Sequence, residues 1–253
     1  FFTFSTNLPH PPFFHEPAYS NRFDAASLAL PGSYSTETFD GKPAFQADHA
    51  ADGRHGAGTE AEARDMLAQY YSMIAQTDAH FAQVAEQFRR HGLWDDTLVV
   101  VISDHGDMMG AHRMRLKGTL PYDELYRVPF FVKLPSAMSS RRRVVDDLVS
   151  SVQVAGTLVR LAGIDDAGVF RHGHLVDCFE SEAPPEDEIV FFEHHAAYWG
   201  VHPFYGARTR HWKLVSYFGD ADDGATELYH LATDPDELTN LAGRPEHSNV
   251  EQD

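Results

Sequence analysis

Cysteine is all but absent from this chain. Cys178 stands alone, which excludes an internal disulfide framework and leaves the compartment open, cytoplasmic or periplasmic/secreted. Lysine is scarce as well, confined to Lys42, Lys117, Lys133 and Lys213, and with 20 basic against 38 acidic residues the net charge is −18. So acidic a surface argues against a nucleic-acid partner, because a phosphate backbone demands a basic footprint. Arg141-Arg142-Arg143 is too short a basic run to hold an anionic polymer and reads as a solvated face. Long apolar runs are missing too, since none approaches the roughly eighteen residues of a membrane-spanning helix. What remains is 253 residues, 43% of them hydrophobic, enough for one sizeable core and a small second domain. The chain opens at Phe1 and not at Met, and FFTFST (1–6) is expected to be a core strand entered part-way, with further sequence upstream.

The densest signal lies in residues 95–135. Leu98-Val99-Val100-Val101-Ile102 is short, apolar and β-branched, which predicts a strand buried on both faces as in a parallel sheet. Ser103-Asp104-His105-Gly106-Asp107 follows at its end, and in open α/β sheets ligands bind outside the carboxyl ends of the strands. Adjacent strand residues face opposite ways, but a chain that curls at Gly106 can turn Asp104 and His105 toward one site. Both are metal-ligand types. Lys117, twelve positions on, can return over them as a fixed positive charge. Cation and ammonium together suit an anionic ester, whose transition state gathers charge on oxygen. The same string also reads as an Asx-capped turn followed by a solvated lysine, and spacing alone does not choose between the two.

Elsewhere the pattern predicts a layered α/β fold. Pro9, Pro11 and Pro12 flank His10 and fix the backbone around it, holding an imidazole still or simply stiffening a turn with an exposed histidine. Residues 21–58 have no period and read as one long loop, with His49 and His55 as surface histidines. Thr59-Glu60-Ala61-Glu62 is a capping box that opens a helix carrying Leu67, Tyr70, Tyr71, Ile74, Phe81, Val84, Ala85 and Phe88 at helical spacing, closed by His91-Gly92. With the strand at 97–103 it makes an αβ unit. A loop over 108–126 leads to another core strand at 127–134, then a helix spans 146–162 with an apolar stripe. The turn to Gly, Asp, Glu and Pro over 165–185 suggests domains 1–165 and 166–253. Short antiparallel strands follow at 189–193, 206–208 and 212–217. His194, His195 and His202 fall in an inter-strand loop, and a histidine pair without a third ligand is not a metal site.

SDHGD (103–107), MGAH (109–112), KG (117–118), YDE (122–124) and RVPFFVKLP (127–135), in that order, resemble the sulfatase family of the alkaline phosphatase superfamily, nearest the arylsulfatase and phosphonate monoester hydrolase branch. PHPPF (9–13) and the closing ELYHLATDPDELTNLA (227–242) fit the same resemblance. It implies an alkaline-phosphatase-like layered sheet with helices on both faces, plus a small C-terminal antiparallel subdomain. Asp104 and His105 would be ligands of a divalent cation, Ca²⁺ first, with Mg²⁺, Mn²⁺ or Zn²⁺ as alternatives. Lys117 would contact a sulfate or phosphate oxygen, and His10 would bind substrate or donate a proton near the leaving oxygen. His112 would border the site as a substrate contact or a support, and Asp107 would be structural, bonding loop amides.

The resemblance also exposes what this chain lacks. The family's nucleophile is a formylglycine made in a C-x-P-x-R or S-x-P-x-R motif, whereas Cys178-Phe179-Glu180-Ser181 has neither the Pro nor the Arg. No upstream Asp-Asp pair completes the metal site, and Ca²⁺ takes roughly six to eight oxygens. The resemblance therefore implies the C-terminal part of a hydrolase acting on small-molecule or saccharide sulfate esters, inactive by itself, with the formylglycine on a missing segment. A phosphonate or phosphate ester hydrolase is the alternative within the superfamily, and a truncated binding or structural module the alternative outside catalysis. Oligomeric state stays open.

Overall fold

Helices and short strands run in the order α1 (Ser33–Thr36), α2 (Ala44–Ala51), α3 (Glu60–Arg90), β1 (Val99–Ile102), α4 (Asp123–Tyr126), β2 (Phe130–Lys133), α5 (Val152–Leu161), α6 (Val176–Glu180), β3 (Val190–His194), β4 (Phe204–Arg208), β5 (Trp212–Tyr217), β6 (Thr226–His230) and α7 (Ser248–Gln252). The computed structural model describes residues 1–138, 144–146, 148–165, 168–171, 173–180, 189–195, 202–219 and 224–252. They form two units, 1–39 with 44–141, and 40–43 with 142–253. The basic run Arg141-Arg142-Arg143 lies outside the described residues.

The first unit is built on α3. Its cap is the predicted one: Thr59 Oγ1 accepts the Glu62 amide (3.4 Å), and the Glu62 carboxylate accepts the Thr59 amide (2.8 Å). That amide and the Thr59 hydroxyl, which also donates to the carboxylate (2.8 Å), hold the Glu62 carboxyl below its ordinary range. The helix stops at His91, with Gly92 at φ +67° where a side chain would be strained. Ala63, Leu67, Ala68, Met73 and Ala85 are buried, while Ile74 of the expected stripe is exposed. Gln76 takes a buried place instead, because its amide grips the chain after the proline loop: Gln76 Oε1 accepts the Glu16 amide (2.9 Å) and Nε2 donates to the Glu16 carboxylate (3.0 Å). Phe13 meets Tyr70 edge-on at 6.2 Å in the same strip.

Four expectations for this unit are corrected. Residues 1–6 are exposed and form no strand, since a strand needs a partner's ladder; Phe2 rests edge-on against Phe88 at 5.8 Å instead. β1 pairs antiparallel with β2, from Val99↔Lys133 to Ile102↔Phe130. Among the described residues it has no second neighbour, so Val101 and Ile102 are exposed where two-faced burial was expected. Finally, 21–58 is not one irregular loop. It holds α1, α2 and a 3-10 turn at Ala25–Ser27, and buries Ser33, Tyr34, Phe45 and Gln46. The stretch 108–126 likewise contains α4 and a 3-10 turn at Ala111–Arg113.

The second unit carries the expected antiparallel strands as a meander, β3-β4-β5-β6. β6 arises from the ELYHL of the closing motif, and the compositional shift at 165–185 falls inside this unit. α5 begins later than predicted, with Val152 exposed and Gly156 and Thr157 buried. Beneath the sheet, Lys213 Nζ lies 2.6 Å from the Glu237 carboxylate, each side chain only 1% exposed. Lys42 Nζ donates to the Glu237 carbonyl at 2.6 Å, which fastens residues 40–43 to this unit. Tyr217 and Tyr229 both donate to the Glu227 carboxylate, at 2.7 and 2.6 Å.

Two substitutions test these constraints. Lys213→Ala removes the cation beside the buried Glu237 carboxylate and is expected to cost about 3–5 kcal/mol, read as a drop in the urea midpoint; a loss under about 1 kcal/mol would refute the pairing. At the exit of β1, the Gly106 amide donates to the Leu125 carbonyl (2.8 Å) and a Cβ on Gly106 would stand 1.8 Å from the Glu124 carbonyl oxygen. Gly106→Ala is therefore expected to cost about 1–3 kcal/mol or more by overpacking, measured in the same titration.

Candidate active site

The turn after β1 brings three of the predicted residues together. Asp104 Oδ1 accepts the His105 amide (3.0 Å), and Ser103 Oγ donates to the His105 carbonyl (2.9 Å). Asp104 thus caps its turn, as the plainer reading of the sequence has it, yet its other oxygen remains directed outward. Oδ2 lies 3.7 Å from His105 Nε2, with the Asp104 side chain 86% exposed and the His105 ring 36% exposed. His105 Nδ1 sits 2.7 Å from the Gly106 carbonyl. A carbonyl only accepts, so Nδ1 carries the proton and Nε2 the lone pair. Lys117 Nζ donates to that lone pair at 2.8 Å.

Lys117 reaches this position on a strained loop. Met109, His112, Arg113 and Leu116 all have positive φ (42°, 50°, 58° and 65°), alongside Gly110 and Gly118. Four such non-glycine residues cost on the order of 1–3 kcal/mol each and persist only where the surroundings hold them. The Asp107 carboxylate holds both ends, accepting the amides of Met109 (3.2 Å) and Leu116 (2.9 Å). Burial pushes the Asp107 carboxyl above its usual range, while those amide bonds and the nearby His105 and Lys117 oppose it. Burial, with Asp107 beside it, also pushes the Tyr70 phenol up to about 12. The same Tyr70 ring meets Phe13 of the proline loop. Arg115 N donates to the His55 carbonyl (2.7 Å) and Ala57 N to the Arg113 carbonyl (2.8 Å), tying the loop to residues 55–57.

His112 is fully buried. Its Nδ1 bonds the Glu37 carboxylate, which is buried as completely, and its ring stacks on Tyr122 at 3.8 Å and 18°. Glu37 escaped the sequence reasoning, because an acid in a stretch without period carries no local signal. His10 is not joined to the others. It is exposed, and its one side-chain hydrogen bond among the described residues runs from Nδ1 to the Pro11 carbonyl (2.6 Å). His49 and His55 are half-buried and not surface histidines, with rings 4.7 Å apart. Burial would raise the Asp52 carboxyl, but hydrogen bonds from the His55 ring (2.7 Å) and the amides of His55 and Arg54 outweigh it and bring it to about 2. In the second unit His194 belongs to β3 and not to a loop, and burial, then His195, pushes its pKa down.

A divalent cation fits this donor set in part. The His105 lone pair and an outward Asp104 oxygen lie side by side, and the Nδ1–H bound to a backbone carbonyl is the support that ligating imidazoles use. Among the described residues no group of three or more His, Cys, Asp or Glu forms a cage. The remaining oxygens that a hard cation requires are not supplied by such a cluster here.

Two family models match, one described as Sulfatase over residues 1–164 and one described as N-sulphoglucosamine sulphohydrolase, C-terminal, over residues 110–253. The chain is similar to arylsulfatase K of Bos taurus, 31% identical over 201 residues that cover 75% of this chain and 35% of that protein. Among solved structures it is similar to the phosphonate monoester hydrolase of Agrobacterium radiobacter (TM-score 0.76, 25% identity, 97% of this chain and 53% of that one). It is similar in fold to a protein solved in complex with its substrate D-glucosamine-2-N,6-O-disulfate (TM-score 0.64, 21% identity, 76% and 39%). The chain spans about a third of the length of the curated relative and about half of the phosphonate hydrolase. The expected α/β, alkaline-phosphatase-like fold is the one it shares with these structures. With two matches that together run from the first residue to the last, the chain belongs to the sulfatase family.

Proposed function

We propose that this chain carries part of the cation site and the anion-holding lysine of a metal-dependent hydrolase of sulfuric esters. The observation that supports it is the set Asp104, His105 and Lys117, with the Lys117 ammonium 2.8 Å from the His105 lone pair. Asp104 Oδ2 and His105 Nε2 would hold the cation, Ca²⁺ foremost. When bound, such an ion polarises an ester oxygen and offsets the charge that develops there. Lys117 Nζ donates to whatever acceptor stands beside His105, the ring nitrogen in the free chain and a sulfate oxygen in the complex. Asp107 keeps Lys117 on its loop while that exchange takes place. His10 is assigned to the ester or leaving oxygen, held by its prolines.

The nucleophile is assigned to a segment outside this chain, since Cys178 lacks the neighbours that formylglycine formation requires. Formylglycine there, and a small-molecule or saccharide sulfate as substrate, complete the reading. The solved relative in complex with D-glucosamine-2-N,6-O-disulfate supports the saccharide class. A second reading, cleavage of phosphonate esters by the same groups, is supported by the likeness to a phosphonate monoester hydrolase. Both ester types present tetrahedral anionic oxygens to one cation and one lysine. A native protein that neither binds Ca²⁺ nor hydrolyses either ester would leave the non-catalytic module.

In the native protein, 4-nitrophenyl sulfate is expected to turn over faster than 4-nitrophenyl phenylphosphonate; the reverse order makes the phosphonate reading the correct one. Chelation is expected to abolish hydrolysis and Asp104→Ala to weaken Ca²⁺ binding by about 10–100-fold, followed by calorimetry. Lys117→Ala is expected to lower kcat/KM by about 10²–10³-fold with the circular dichroism spectrum unchanged. Undiminished activity would remove Lys117 from the site.

A further inference from the structure

Glu37 lies far from every motif in the sequence, yet it touches the loop that presents Lys117. Its carboxylate bonds His112 Nδ1, its carbonyl accepts from the Arg113 guanidinium (3.2 Å), and both His112 and Glu37 side chains are 0% exposed. His112 N donates to Ser33 Oγ at 3.1 Å, so α1 grips the same residue through backbone and ring at once. His112 and Arg113 are consecutive residues of positive φ, five and four positions before Lys117. Asp107 fixes the two ends of the strained segment, and the Glu37–His112 contact fixes its middle. Among the described residues the ring's Nε2 is buried without a hydrogen-bond partner, which is tolerable for a lone pair and costly for a proton. Nδ1–H donating to Glu37 is therefore the arrangement that satisfies the pair.

A buried carboxylate–imidazole contact is a poor way to add stability, because well-packed apolar groups of the same volume do as well or better. What it provides is direction. Packing alone against Tyr122 would leave the ring free to slide in its plane, whereas a hydrogen bond from Nδ1 sets its rotation and with it the left-handed backbone. We infer that Glu37 is a positioning residue that acts through His112 to hold the Lys117 ammonium beside His105. This inference rests on the role proposed for Lys117, but its physical content, the placement of one side chain, can be measured apart from catalysis.

The test compares Glu37→Gln with wild type below its melting temperature, where circular dichroism reports a folded chain. Lysine labelling by a water-soluble N-hydroxysuccinimide acetate is read by mass spectrometry at Lys117, with Lys133 as the internal reference. Glu37→Gln is expected to raise Lys117 labelling by about 5-fold or more relative to Lys133, as release from a held hydrogen bond predicts. Equal labelling overturns the inference. Should Glu37→Gln fail to fold, His112→Gln, which keeps an amide in place of the ring, is read in the same way, and equal labelling there overturns it too. In the native enzyme Glu37→Gln is expected to lower kcat/KM for 4-nitrophenyl sulfate by about 10-fold, and to add less than about 2-fold when Lys117 is already alanine. Losses that multiply would mean Glu37 acts elsewhere and would overturn the inference. If Lys117→Ala is silent while labelling still responds, positioning stands and the catalytic role of Lys117 fails.

Discussion

A carbonyl oxygen occupies the place where any other residue at position 106 would put its side chain. That close approach, Glu124 O against Gly106, draws the exit of β1 onto the start of α4. From there the chain has little choice. Asp104 and His105 are left at the rim, Asp107 is turned inward toward two amides, and the loop must come back over the turn to close the Leu116–Met108 hydrogen bond (3.0 Å). Lys117 is the residue that this return delivers. The proposed handling of sulfate is thus an outcome of backbone crowding at one glycine.

Features with local causes were legible. The capping box at Thr59 and the His91-Gly92 stop depend on residues three or four positions apart, so α3 can be read from the sequence to the residue. The turn at 103–107 is of the same kind, as are three strands of the meander after 189, whereas β6 is a strand the sequence reading does not give. Burial was not legible, because it depends on neighbours. An apolar run such as 98–102 announces two covered faces, but β1 finds one partner strand among the described residues. FFTFST has strand composition and no ladder. In the candidate site Asp104, His105 and Lys117 could be read because a short turn and a return loop join them, and the amide bonds expected of Asp107 are present. Glu37 meets His112 across 75 positions of sequence, and nothing in its own surroundings announces the meeting.

The lysines share a property that composition alone does not reveal. Lys42 and Lys213 converge on Glu237, Lys133 is bound to the carbonyls of Trp94 and Thr97, and Lys117 donates to His105. All four are tethered to a partner, and only the partner of Lys117 is a candidate ligand. Exposed positive charge falls to arginines such as Arg90, paired with Glu86 at 3.0 Å on the surface of α3.

Tethered lysines have a consequence for adaptation. Since none of them serves as general solvating charge, the electrostatic character of the surface is carried by Asp, Glu and Arg. Exchanges among those three can retune hydration and ionic-strength tolerance while the cationic struts inside stay as they are.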